Sequence, residues 1–332
     1  MTTILSNRVQ KVKPSATMAV SDKAKELKSQ GVQIISMGSG EPDFDTPVNI
    51  QKAAIHAIGA GETRYTAADG TPELKKAICD KFKRENRLNY EANEVMVSCG
   101  GKQVFYNLCQ AILNEGDEVI IPTPYWVSYP DMAILADATP VFIEAGLDQD
   151  FKITPQQLDE SITSKSKLLV LNSPSNPTGS VYSKSEIEAL GEVLKKHPHV
   201  LIISDDIYEH IRWGNDEFIN IAMACPELRD RIIILNGVSK AYAMTGWRIG
   251  YAAGPELVIK AMKKIQGQST SNPSSISQAA ALEAINGDQS FITMMVEAFE
   301  RRHNFLVDSL NEIDGIECPS SCLLYTSPSP RD

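Results

Sequence analysis

A series of short runs rich in valine, isoleucine and leucine, alternating with segments of helical period from about residue 72 onward, constrains the fold of this chain more than any other feature. The runs cover residues 94–97, 117–121, 139–143, 168–171, 200–204 and 232–235. Continuous apolar runs of this length require burial on both faces, which is the condition of a parallel sheet covered by helices on each side. The alternation predicts an α/β fold with a mainly parallel sheet. Thr71-Pro72 opens a helix with proline at its first position, and Leu74, Ala77, Ile78 and Phe82 form its buried stripe. Ser183 and Glu186 are spaced as a capping box for a helix running to Lys196. Residues 102–113 have helical character, residues 21–30 predict one helix near the N-terminus, and residues 288–313 predict one long helix with Phe291, Met294, Met295, Phe299 and Leu306 on its apolar side.

The carboxyl edge of such a sheet is where α/β proteins bind ligands, so the residues that end each run carry the functional reading. Lys240 follows the run 232–235 and stands eight residues before Arg248. A lysine becomes a nucleophile when burial or a neighbouring cation lowers its pKa, and an aldehyde cofactor bearing a phosphate needs a cation nearby. That spacing suggests pyridoxal 5'-phosphate held as a Schiff base, although a lysine at a strand end is more often a solvated surface group. Asp205 ends the run 200–204 and Tyr208 lies three residues on. The carboxylate suits the nitrogen of a pyridine ring and the phenol suits a ring oxygen; Asp205 and Asp206 equally suit the cap of a following helix. Asn172-Ser-Pro-Ser-Asn176-Pro-Thr-Gly179 is either a tight loop or a segment whose second asparagine, Asn176, offers an amide to both a cofactor oxygen and a substrate carboxylate. Gly100-Gly101 before a helix is a ready phosphate site, through free backbone N–H groups and the helix dipole. Trp126, after the run 117–121, covers either an aromatic cofactor or the core.

Other chemistries find little support. Gly38-x-Gly40 lacks the third glycine of a dinucleotide fingerprint, and Pro42 interrupts the helix that should follow. The six cysteines are scattered without metal-ligand spacing, so no metal is expected and the thiols are expected reduced. A formal charge of −10 disfavours nucleic acid or an anionic membrane as partner. No apolar run approaches the roughly 18 residues of a membrane span, and residues 1–12 contain no signal-peptide core. A cytoplasmic location follows, or an organellar one if a transit segment precedes this chain.

Lys-Pro-Ser-Ala-Thr at 13–17, Gly-Glu-Pro-Asp-Phe-Asp-Thr-Pro at 40–47, Tyr65, Gly-Gly-Lys-Gln at 100–103, Pro-Tyr-Trp-Val-Ser-Tyr-Pro at 124–130, Asn-Pro-Thr-Gly at 176–179, Ser-Asp-Asp-Ile-Tyr-Glu-His at 204–210 and the segment 239–250 stand in register. Together they resemble the class I aminotransferases, and most of all the prokaryote-type aspartate aminotransferases of subgroup Ib, which include prephenate aminotransferases. The resemblance runs from about residue 8 to 318. It implies a fold type I, pyridoxal 5'-phosphate-dependent homodimer acting by ping-pong amino transfer on amino acids and 2-oxo acids. It implies an arm and part of a small domain at 1–46, a large cofactor-binding domain at 47–287, and an interdomain helix with the start of a small α+β domain at 288–318.

Carried over by position, the resemblance makes Lys240 the Schiff-base lysine and the base that moves the substrate α-proton. Asp205 would pair with the pyridine nitrogen, Tyr208 and Asn176 with the ring phenolic oxygen, and Trp126 would stack on the ring. Arg248, the Gly101-Lys102 backbone and Tyr65 of a partner protomer would hold the phosphate, with Ser239 also in the cofactor-binding set. Gly40, Asn176 and Trp126 would contact the substrate, while Lys102, Ser15 and Thr17 are candidates for a distal carboxylate. At Gly237 many relatives outside the subgroup carry serine. The expected reaction is transfer between L-aspartate and 2-oxoglutarate; prephenate or aromatic amino acids, and C–S lyase chemistry, are alternatives. After residue 318 the resemblance stops, and residues 319–332 read as a non-native tail resembling a sequencing adapter. The rest of the small domain, with its carboxylate-clamping arginine, is expected beyond it, which leaves a cofactor-binding but inactive chain as a further alternative.

Overall fold

A computed structural model describes residues 4–14, 16–35, 40–214 and 217–320, with residues 16–18 described in backbone only. Among these the helices are α1 (Asn7–Lys11), α2 (Ala16–Ser29), α3 (Val48–Gly59), α4 (Pro72–Asn86), α5 (Gly101–Ile112), α6 (Ser128–Leu135), α7 (Pro155–Ser161), α8 (Lys184–Lys196), α9 (Ile221–Ala224), α10 (Glu256–Gly267), α11 (Ser275–Asn286) and α12 (Ser290–Asn311). The strands are β1 (Val95–Ser98), β2 (Glu118–Thr123), β3 (Thr139–Glu144), β4 (Ser166–Asn172), β5 (Leu201–Asp205), β6 (Ile232–Gly237) and β7 (Gly250–Ala253).

They form one sheet in the order β1-β7-β6-β5-β4-β2-β3. The ladders β3-β2, β2-β4, β4-β5 and β5-β6 are parallel, as the apolar runs require. β7 is antiparallel to both β1 and β6. Consequently β1 to β6 all point their carboxyl ends to one edge, and β7 brings its amino end to that same edge. The side-chain alternation of a strand explains the two cores. Val95, Val97, Ile202 and Ile234 point to the face covered by α3, α4, α8 and α11. Met96, Ile203, Ile233 and Leu235 point to the face covered by α5, α6 and α10.

Local signals act where the sequence places them. Thr71 caps α4 by accepting from the Leu74 N–H, and Leu74, Ala77, Ile78 and Phe82 are buried. Ser183 and Glu186 form the capping box of α8. Several boundaries differ. α2 begins earlier than expected, at Ala16, since no glycine or proline interrupts residues 16–20. β4 and β5 extend one residue past their apolar runs because the ladder continues through Asn172↔Asp205. On α12, Met295 and Phe299 are buried, but Met294 and Leu306 are 47% and 38% exposed. Met294 is rotated by a third of a turn from Met295 and so falls off the stripe. Among the described residues no helix is long and apolar enough to cross a membrane.

Candidate active site

Asp205, the last residue of β5, is 4% exposed. Its Oδ2 accepts from the Tyr129 hydroxyl at 2.5 Å, and its Oδ1 accepts from the Ile207 N–H at 3.2 Å. No helix begins there, so the expected helix cap reduces to this one turn. Burial pushes the Asp205 carboxyl up to about 6, with the Tyr129 hydrogen bond pulling the other way. Beside it, Asn172 ends β4 and donates to the Asp205 carbonyl at 2.9 Å. Asn172 Oδ1 accepts from the Asn176 N–H at 2.8 Å, which ties the loop carrying Asn176 to the strand edge. Tyr208 is buried, and the Lys240 Nζ lies 5.9 Å from the centre of its ring.

Lys240 stands on the loop after β6, following the buried Ser239. Its Nζ donates to the Gly40 carbonyl, so residue 40 lies at the mouth of the lysine. Burial pulls the ammonium down to about 8; Glu41 opposes this, Arg248 adds to it, and Asp205 opposes it. The ammonium still predominates at neutral pH, but this lysine reaches the neutral amine that a nucleophile requires closer to neutrality than a free lysine does. A cleft of about 440 Å³ lies beyond residue 40, lined by Glu41, Phe44, Thr46, Ala243, Thr245 and Trp247 among others, and neither Lys240 nor Asp205 lines it.

The antiparallel β7 supplies the cation. Arg248, just before β7, donates to the Thr245 carbonyl at 2.9 Å and lies against the turn that starts α5, with Nη2 3.4 Å from the Cys99 carbonyl. Gly100 has φ of +87° and no side chain caps α5. A Cβ at Gly100 would come within 2.3 Å of Arg248 Nη2, and one at Gly250 within 2.3 Å of the Gly101 nitrogen. Only glycines permit this close approach of guanidinium and helix N-terminus, the two halves of an anion site. Lys102, in the first turn of α5, holds its Nζ 5.2 Å over the Trp126 ring. Burial and Arg248 both lower its pKa. Trp126 meets Tyr129 edge-on with centroids 5.2 Å apart, which closes a path from Lys102 to Asp205.

Residues 32–327 match the family of class I and II aminotransferases. The chain belongs to that family. The aspartate/prephenate aminotransferase of Nitrosomonas europaea is 58% identical over 314 residues, covering 95% of this chain and 79% of the relative. That of Cereibacter sphaeroides is 57% identical over 316 residues, with the same coverage of both. Among solved structures, the aspartate aminotransferase of Rhizobium meliloti superposes with a TM-score of 0.94 at 48% identity, over 97% of this chain and 80% of that one. The Thermus thermophilus aspartate aminotransferase, solved with maleate, gives 0.92 at 43% identity, over 96% of this chain and 83% of that one. An aminotransferase of this family uses pyridoxal 5'-phosphate. The strand edge fits that group: an amine of lowered pKa, a buried carboxyl and a glycine cradle against an arginine lie together.

In this aminotransferase the fold gathers Lys240, Asp205, Tyr208, Trp126, Lys102, Gly101, Arg248 and Gly40 at one edge, with Asn176 tied in through Asn172. Tyr65, on the loop between α3 and α4, is 91% exposed and is not packed into the cluster of its own chain. Ser15 lies outside the described residues, as does the side chain of Thr17. Sequence reasoning missed Tyr129 and Asn172 as members of the site. Tyr129 stands only three residues after Trp126, in the turn that opens α6, and that nearness was the available signal. Asn172 is the polar residue closing an apolar run, as Asp205 is.

Proposed function

We propose that this aminotransferase transfers the amino group between L-aspartate and 2-oxoglutarate, giving oxaloacetate and L-glutamate. The observation that carries the reading is Lys240: its amine, lowered to about 8, faces the Tyr208 ring and Asp205 at the carboxyl edge of the sheet. Bound pyridoxal 5'-phosphate supplies an aldehyde carbon that accepts the amino group and a ring that withdraws electrons from the substrate α-carbon. Lys240 would hold the cofactor through its Nζ and, with that atom free, would move the substrate α-proton. Asp205, as a carboxylate, would hold a proton on the pyridine nitrogen. Tyr208 and Asn176 would serve the ring phenolic oxygen. Trp126 would cover the ring and exclude water. Arg248, the N–H groups of Gly101 and Lys102, and the neighbouring Ser239 would hold the phosphate. Gly40 borders the substrate α-carboxylate.

Lys102 is the residue we assign to the distal carboxylate of a dicarboxylic substrate, with Ser15 and Thr17 as further contacts. Its Nζ lies over Trp126, burial and Arg248 lower its pKa while Asp131 opposes them, and among the described residues no carboxylate forms an ion pair with it, which supports a cation available to an anionic substrate. Prephenate, also a dicarboxylate, fits the same reading, in line with relatives named for both substrates. Lys102→Ala is expected to reduce kcat/KM for L-aspartate by about 10- to 100-fold, the worth of a charge-assisted hydrogen bond. L-Phenylalanine should change by less than about threefold, since it has no distal carboxylate. Equal losses on both would reduce Lys102 to phosphate support and remove the dicarboxylate assignment.

The reading includes a homodimer in which Tyr65 of one protomer reaches the phosphate bound by its partner. Its exposure supports this, as does the bracing of its loop: Gln278 donates to Thr66 Oγ1 at 3.0 Å and accepts from the Thr71 N–H at 2.8 Å. It also takes residues 47–287 as the cofactor-binding domain, and a cytoplasmic location in line with the bacterial relatives.

A further inference from the structure

Next to Tyr208 lies a buried charge cluster that the proposed chemistry does not use. Lys81 on α4 is 1% exposed and Glu209, directly after Tyr208, is 6% exposed. Lys81 Nζ donates to Glu209 Oε1 and, at 2.8 Å, to Asn86 Oδ1. Asn86 donates back to Glu209 Oε2 at 2.9 Å. Asn236 on β6 donates to Glu209 Oε1 at 2.7 Å, and its own Oδ1 accepts from the Gly237 N–H at 2.7 Å. Glu85 and His210 complete the cluster, with Glu85 Oε2 3.5 Å from Lys81 Nζ and 2.9 Å from His210 Nε2. The two carboxylates and the histidine lie close enough to share a cation, and Lys81 already places its ammonium there.

Stability does not account for this arrangement. A buried ion pair is commonly no better than well-packed apolar side chains of the same volume, because desolvation offsets the attraction. What the cluster adds is geometry. Every Glu209 oxygen is held by directed donors from α4 and β6, so the backbone one residue past Tyr208 is fixed against the strand that leads to Lys240. We propose that Lys81 and Glu209 are positioning residues that hold Tyr208 and Lys240 in register on their separate loops. This rests on the reading of Lys240 as the cofactor-bearing lysine and of Tyr208 as the neighbour of the ring oxygen. The 5.9 Å separation of the Lys240 Nζ from the Tyr208 ring is the quantity the bracket sets.

The test is the double variant Lys81→Met/Glu209→Gln, which keeps the side-chain volumes and leaves neither member of the pair charged without its partner. It should fold with a thermal midpoint within about 4 °C of the parent. Its kcat for L-aspartate should fall at least about tenfold with KM changed less than threefold, because small misplacements of reacting groups are costly. The pH midpoint of the visible absorbance of lysine-bound pyridoxal phosphate should move by at least about half a unit, since Tyr208 faces the titrating group. A folded double variant with parental kcat, or with an unmoved absorbance midpoint, overturns the positioning role. Failure of the double variant to fold also overturns it, by making the pair a requirement of the fold at large. Absence of lysine-bound absorbance in the unaltered enzyme would instead remove the reading of Lys240 itself, and that is seen before any variant is made.

Discussion

Burial sets how readily Asp205 ionises, and Tyr129 tempers it. Burial raises this carboxyl to about 6 and the phenol holds it down from a higher value, so the ionised fraction grows as pH rises through about 6. The pyridine nitrogen needs the ionised form, so affinity for pyridoxal phosphate should strengthen as pH rises through that value and weaken below it. Tyr129→Phe removes the hydrogen bond and should move the midpoint of binding affinity upward, as read by titrating cofactor into the cofactor-free protein at a series of pH values. A midpoint that stays or falls would break the link between Tyr129 and cofactor binding. Lys240 and Asp205 were legible at this scale because each follows an apolar run, and Arg248 through its spacing of eight from Lys240. The Tyr129–Asp205 bond spans 76 residues, and only the closing of the sheet brings its ends together.

Among the elements, β7 brings a guanidinium to the N-terminus of α5, the arrangement proposed to hold the phosphate. Its direction delivers Arg248 to the end of β1, where Gly100 and Gly250 leave room for it. Gly100→Ala would put a Cβ into the guanidinium at a backbone angle of +87°, which costs about 1–2 kcal/mol before any clash is counted. Pyridoxal phosphate affinity should therefore weaken at least about tenfold, measured by equilibrium titration. Unchanged affinity would place the phosphate elsewhere. The glycine pair at the start of α5 was readable as a phosphate site, but the four residues of β7, Gly-Tyr-Ala-Ala, are too short a run to announce a strand or its direction. Strand ends were read one residue short for a related reason: the ladder continues into Asn172 and Asp205, where hydrogen bonding persists after hydrophobicity stops.

At the scale of the whole molecule, the alternation of apolar runs and helices specified the class of fold, since two-sided burial leaves few arrangements other than a covered parallel sheet. It did not foretell that a lysine on α4 would be wholly buried, because lysines on a helix normally extend to solvent and only the assembled core brings Glu209 to join Asn86 of the same helix as its partner. The assembled edge joins amine, carboxyl and anion cradle into one site, and its central claim is that Lys240 carries the cofactor through amino transfer. The most direct measurement is the visible spectrum of the protein with pyridoxal phosphate, taken before L-aspartate, after it, and again after 2-oxoglutarate, alongside Lys240→Ala. The unaltered enzyme should show the absorbance of lysine-bound cofactor, lose it with L-aspartate and regain it with 2-oxoglutarate, while Lys240→Ala shows none and turns over on the order of 10³-fold more slowly. A spectrum indifferent to L-aspartate, or a Lys240→Ala variant that cycles like the parent, would contradict the account.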